Sequence, residues 1–167
     1  RQRLQTNGGT QFDWCFTANE ILRILVPMRG NIYIQDGIDG DLYCVYDKQN
    51  LEKKQWNGGS IVGRDTGAID PQLSPDGTMV AFVVAGDIYV VNIDNTEKRR
   101  PVRLTFGARH DDIAITHGLA DFVAQEEMDR YRGFWWQPDS CGILFAKVDE
   151  TRVPPYRITH QGKDGSA

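Results

Sequence analysis

Three times the chain sets a glycine and a short polar residue directly before an alternation of aliphatic residues and tyrosine: GNIYI from Gly30, GDLYCV from Gly40 and GDIYVV from Gly86. Glycine admits the turn backbone, and Asp or Asn bonds that backbone through its side chain. Ile, Leu, Val and Tyr then suit a pleated, half-buried surface. Gly30 and Gly40 are separated by one strand of a meander, whereas Gly40 to Gly86 is close to a propeller blade of roughly 40–45 residues. A strand also precedes the first and third copies, as ILRILV from Ile21 and MVAFVV from Met79. SPDGTMVAFVVAGDIYVVNID therefore reads as turn, strand, tight turn, strand. Pro75, Asp76 and Gly77 make the entry turn, and Ala85, Gly86 and Asp87 the hairpin turn. A degenerate copy follows in QPDSCGILFAKVDETRVPPYRI, where Pro138 and Asp139 repeat the entry turn before the apolar run Ile143 to Val148. The expectation is an all-β fold, a partial β-propeller of about three blade-like units.

The stretch from Pro75 to Pro138 is longer than a blade requires, and the excess falls in RHDDIAITHGLADFVAQEEMDRYRGFWW. Only here does strand patterning give way to helix patterning. Leu119, Phe122 and Val123 form a short apolar face at i, i+3, i+4, with Ala120, Ala124 and Gln125 as compatible helix residues. The spacing predicts a short helical insertion ending near Met128.

Its last turn carries Glu126 and Glu127, at the end of a helix where acids are unfavourable. Neighbouring residues point about 100° apart, so at a frayed end both carboxylates can lean toward one cation. An ammonium, with three donors, suits acceptance by two carboxylates. The other reading is a solvated helix end compensated by Arg130 and Arg132. Of Trp135 and Trp136, neighbours on a strand, at least one is expected in the core.

Composition narrows the rest. With 40% hydrophobic residues and a net charge of -4 over 167 residues, the chain has the profile of a folded domain. EKRR at Glu97 to Arg100 is too short for a nucleic-acid surface and reads as a solvated loop, so no nucleic-acid partner is expected. No apolar run approaches the roughly 20 residues of a bilayer span. Cys15, Cys44 and Cys141 cannot all pair and show no C-x-x-C spacing; Cys15 and Cys44 read as buried free thiols. His110, His117 and His160 read as loop residues, and neither a metal nor another cofactor is expected. The tail HQGKDGSA reads as a loop.

GLADFVAQEEMDRYRGFWWQPDS, followed by VDETRVPPYR, resembles the glutamate-motif segment of the dipeptidyl peptidase IV family of serine exopeptidases, especially its bacterial members. The similarity is strong from about Asp70 to Arg157 and looser before it. The resemblance implies that residues 1–167 belong to an N-terminal β-propeller that covers a C-terminal α/β-hydrolase domain of the same chain. It implies that Glu126 and Glu127 bind the α-amino group of peptides with a free N-terminus, so that Xaa-Pro and Xaa-Ala dipeptides are released. It further implies a homo-oligomer for the intact enzyme, periplasmic or cytoplasmic, with the periplasm slightly favoured. No G-x-S-x-G elbow surrounds Ser60, Ser74, Ser140 or Ser166, so no catalytic residue is assigned and this segment alone is expected to be inactive. The family's substrate-carbonyl arginine has three candidates, Arg29, Arg109 and Arg130. Two rival readings stand beside this one: a non-enzymatic propeller scaffold that binds proteins, and a prolyl-oligopeptidase-type endopeptidase. Neither has a use for paired acids that anchor an amine.

Overall fold

The computed structural model describes residues 12–52, 67–94, 99–108 and 114–154. The first unit is a four-stranded antiparallel meander of β1 (Asp13–Phe16), β2 (Leu22–Met28), β3 (Asn31–Asp36) and β4 (Leu42–Tyr46). A short helix, α1 (Lys48–Glu52), follows, which the sequence pattern does not anticipate. Asp47 starts it, its carboxylate accepting from the Gln49 N–H at 3.0 Å and its carbonyl from the Asn50 N–H at 3.1 Å. The second unit repeats the meander with β5 (Ile69–Leu73), β6 (Met79–Val84), β7 (Asp87–Asn92) and β8 (Val102–Arg103). The third contains β9 (Ile115–His117), α2 (Phe122–Glu127), β10 (Phe134–Trp136), β11 (Ile143–Phe145) and β12 (Lys147–Asp149). The three expected blade-like units are present.

Their turns are copies of one another. At the entry turn a residue with left-handed φ occurs in each unit: Glu20 at 59°, Gly77 at 75° and Ser140 at 62°. The hairpins Arg29-Gly30 and Ala85-Gly86 both have two successive positive φ values, the type I′ geometry whose twist matches the flanking strands. Each hairpin also hands one hydrogen bond to the next unit. The Gly30 carbonyl accepts from the Ala68 N–H at 2.9 Å, and the Gly86 carbonyl accepts from the His117 N–H at 2.7 Å.

Strand β6 explains the unbroken apolar run MVAFVV. Side chains alternate across a strand, and both of its faces are covered. Val80, Phe82 and Val84 join Leu25, Ile32, Ile34 and Tyr46 of the first unit in one core. Ala81 and Val83 turn the other way and meet Ile88 and Phe134 in a second core. Phe82 lies between two tyrosines, its ring 4.6 Å from Tyr46 and 6.1 Å from Tyr89.

An ionic network also ties the first two units together. Buried Arg23 donates to both oxygens of Asp36, to Asp94 at 2.8 Å and to the Gly77 carbonyl at 2.7 Å. Tyr43 donates to Asp36 at 2.8 Å, and the Arg99 guanidinium lies 4.8 Å above the Tyr43 ring. Burial alone would raise the Asp36 carboxyl, but hydrogen bonds from Arg23 and Tyr43 hold it below the usual range. Burial and the bond to Asp36 push the Tyr43 hydroxyl up to about 12. Arg99, expected in a solvated loop, is thus partly buried, because the Tyr43 face and the Ile93 carbonyl, which its Nε reaches at 2.9 Å, both engage it.

The cysteines are free, as expected, but Cys44 is exposed rather than buried. It lies on the outer face of the edge strand β4, while neighbouring Val45 points into the core. That outer face of the first unit also displays Trp14 and Phe16, packed edge to face at 5.9 Å. Among the described residues no helix is long and apolar enough to cross a membrane.

Candidate functional site

The helix arises from an interruption of a strand. β9 pairs with β12 through His117 opposite Lys147, and β10 pairs with β11 through Phe134 opposite Phe145. Between these pairings stands Ala146 alone. Its carbonyl accepts from the Gly118 N–H at 2.9 Å, and its N–H donates to the Gly133 carbonyl at 2.8 Å. β9 and β10 are therefore two halves of one strand, and residues 119–132 leave it and return at a single level. A bridge between Leu119 and Arg132 closes the neck.

Two glycines permit that closure. A Cβ on Gly133 would lie 2.4 Å from backbone carbons of Gly118 and Leu119, and Gly118 itself has φ +77°. No larger residue fits between two chains this close. At the corresponding level of the second unit, β5 carries only a bulge. Its register shifts between Ile69 and Gln72, with buried Asp70 at φ 46°. Burial pushes the Asp70 carboxyl up, while Arg132 and the Gln72 amide pull the other way.

Within the insertion, Asp121 is the N-cap of α2, its carboxylate accepting from the Ala124 N–H at 2.8 Å. The Gln125 side chain donates to the Ala120 carbonyl at 2.7 Å. The helix stops at Met128, and Asp129, with φ 50°, turns the chain so that the Arg130 N–H reaches back to the Ala124 carbonyl at 2.9 Å. This matches the expected short helix ending near Met128. The expected apolar face differs: Phe122 and Val123 are 72% and 53% exposed, and the residues facing the fold are Ala120 and Ala124. The helix thus buries its small side chains and turns the bulky pair outward.

Glu126 and Glu127 are both exposed in the last turn, which contains no basic residue. Each follows a bulky apolar residue by one turn, Glu126 after Phe122 and Glu127 after Val123. Arg130 is turned away from this end. It faces Asp121 at 3.7 Å and donates to the Arg132 carbonyl at 2.9 Å. Arg29, on the β2–β3 hairpin, is exposed and belongs to the first unit; Arg109 lies outside the described residues.

Trp136 packs against the second core and donates to the Gln72 carbonyl at 3.2 Å, while Trp135 is partly exposed, in line with their alternation on a strand. The fully buried aromatic of this segment is Phe134, which the sequence reading passes over. Ser74 and Ser140 serve the entry turns: Ser74 donates to Asp76 at 2.6 Å, and Ser140 Oγ accepts from the Asp76 N–H at 3.0 Å, joining two units. Ser60, Ser166, His110 and His160 lie outside the described residues. Among the described residues no group of His, Cys, Asp and Glu could hold a metal ion.

His117 corrects the sequence reading. It is a buried strand residue whose Nδ1 lies 2.9 Å from Asp87. Asp87 is equally buried and also receives Arg103 at 2.6 Å and Thr105 at 2.9 Å. Asp87 begins β7, as Asn31 begins β3 and accepts from the Lys48 N–H at 3.1 Å. The polar residue of the repeated signature was therefore the available clue; its partner, distant in sequence, carried none.

The family model described as the dipeptidyl peptidase IV N-terminal region matches residues 29–167. Human dipeptidyl peptidase 8 is 36% identical over 105 residues, covering 54% of this chain and 11% of that protein. Dipeptidyl peptidase 4 of Felis catus is 32% identical over 110 residues, covering 65% of this chain and 14% of that protein. The crystal structure of Porphyromonas gingivalis dipeptidyl peptidase 4 matches with a TM-score of 0.60 at 17% identity, over 97% of this chain and 21% of that one. This chain thus spans a small part of the proteins it matches.

Proposed function

Since the chain belongs to the family of dipeptidyl peptidase IV N-terminal regions, we propose that it is the propeller portion of a serine dipeptidyl aminopeptidase. In this reading Glu126 and Glu127 hold the substrate's α-ammonium group. A hydrolase domain of the intact protein supplies the nucleophile, and Xaa-Pro or Xaa-Ala dipeptides are released. The observation that carries the reading is the geometry of α2. Two adjacent carboxylates stand exposed side by side in the last turn of a helix that an interrupted strand projects from the sheet.

Placed there, the pair measures length as well as charge. An ammonium fixed by two carboxylates leaves the second peptide bond at a set distance, and binding energy gained at the amine orients a carbonyl remote from it. Charge-assisted hydrogen bonds of this kind contribute roughly 1.5–3 kcal/mol each.

The test uses the intact peptidase and Gly-Pro-p-nitroanilide. Glu126→Gln or Glu127→Gln should lower kcat/KM by about tenfold or more, and an N-acetyl cap on the substrate should abolish most turnover by the unmodified enzyme. Equal cleavage of capped and free substrates would replace this reading with an endopeptidase. Cleavage of neither would favour the scaffold.

A further inference from the structure

The insertion is held along the strand by the Ala146 ladder, but that ladder provides a single level of pairing at Gly118 and Gly133. The Leu119–Arg132 bridge adds one more pairing above it, and a neck this short restrains sliding and leaves sideways rocking to other contacts. The contact from the side comes from the second unit and acts on the residue next to the neck. His117 donates its backbone N–H to the Gly86 carbonyl at 2.7 Å, and its ring reaches Asp87 at 2.9 Å. A carboxylate only accepts, so the ring nitrogen facing it carries the proton.

Asp87 does not move freely under that load. Arg103 holds its other oxygen at 2.6 Å, and Thr105 donates at 2.9 Å to the same oxygen that His117 faces while accepting from the Ile88 N–H at 2.9 Å. The Phe145 ring meets the imidazole edge to face at 5.8 Å. At the equivalent junction between the first and second units, the residue bonded to the hairpin glycine is Ala68, whose methyl side chain makes no hydrogen bond. The clamp thus occurs where a strand carries an insertion and is lacking where it carries a bulge.

We propose that His117 and Asp87 are positioning residues for the glutamate pair: they fix the lateral placement of the insertion neck, and through it how strictly the enzyme demands a free α-amine. This rests on the amine-binding reading of Glu126 and Glu127. The pair touches no substrate and acts through the backbone of Gly118.

The experiment compares the intact peptidase on Gly-Pro-p-nitroanilide and on acetyl-Pro-p-nitroanilide, the same skeleton without the amine. The readout is the ratio of the two kcat/KM values. His117→Leu should shrink that ratio by about tenfold, mainly through KM for the amine substrate, because a misplacement of about 1 Å is enough for such a loss. His117→Asn should restore most of it, since the Asn amide nitrogen occupies the position of Nδ1 and can still donate. His117→Gln shifts the donor by one bond and should resemble Leu, and it carries the same test if the Leu variant does not fold. Val91→Ala, in the first core, serves as the stability control and should leave the ratio unchanged.

A ratio that falls in Glu126→Gln but stays intact in both His117→Leu and His117→Gln overturns the positioning role. An equal fall in Val91→Ala overturns it too, by making the effect one of general stability. A ratio unchanged in Glu126→Gln itself removes the amine-binding reading, and the positioning proposal with it.

Discussion

The inner strands of the second and third units break at the same level, and they do so on very different scales. In β5 the break is a bulge at Asp70 and Pro71; between β9 and β10 it is the whole segment 119–132, with its helix. A bulge already leaves residues out of the ladder, so lengthening it costs no further strand pairing. Chain added at such a point can project from the sheet while the flanking register survives, as the Ala146 bonds to both glycines show. The lesson extends to the two junctions around β6. One joins complete four-stranded sheets through a broad apolar core and the Arg23 network. The other joins a sheet to an interrupted strand through a small core, two glycines and a buried polar clamp. The first junction supplies stability, and the second supplies placement.

That contrast can be broken most directly at the cores. Phe82→Ala should cost about 3–5 kcal/mol, the range for a fully buried Phe, measured by urea unfolding. Phe134→Ala should cost less, because fewer buried side chains surround it. A larger loss at Phe134 would reverse the assignment of the two junctions.

The Arg23 network should give a smaller effect with a pH signature. Arg23→Met is expected to cost about 1–3 kcal/mol, since Asp36 and Asp94 remain partly in water. Asp36 is held low in the folded state, so its contribution is present above the ordinary Asp value of 3.8 and is lost as pH falls through the lowered folded value. Acid below that point should loosen this junction, and Asp36→Asn should flatten the acid limb of a stability-pH curve. An unchanged limb would show that the ion pairs contribute little there.

The smallest effect sharpens the placement side. Asp121→Ala removes the N-cap of α2 and should cost about 1 kcal/mol. It should be seen as faster hydrogen exchange at residues 122–127 with no shift in global unfolding. A global shift would mean that the insertion is part of the scaffold after all.

The repeated Gly-Asp/Asn-aliphatic-Tyr signature was enough to read the meanders, because turn chemistry and side-chain alternation are local properties. The doubled entry turn and the excess length before Pro138 were enough to read an insertion, and the Glu-Glu-x7-Trp-Trp segment made its family recognisable. The outward turn of Phe122 and Val123 could not be read there, since helix periodicity locates an apolar face but does not say whether a sheet leaves room for it. In the fold the buried positions are Ala120 and Ala124, and Phe122 and Val123 face outward. The role of His117 was equally hidden. Sequence places it beside a glycine in a segment that reads as a loop, whereas its partner Asp87 belongs to another unit, and only the stacking of one unit on the next brings the two within hydrogen-bonding distance. Local patterns determine which strands and turns form; the burial of a charge or the aim of a helix depends on what tertiary packing sets against them.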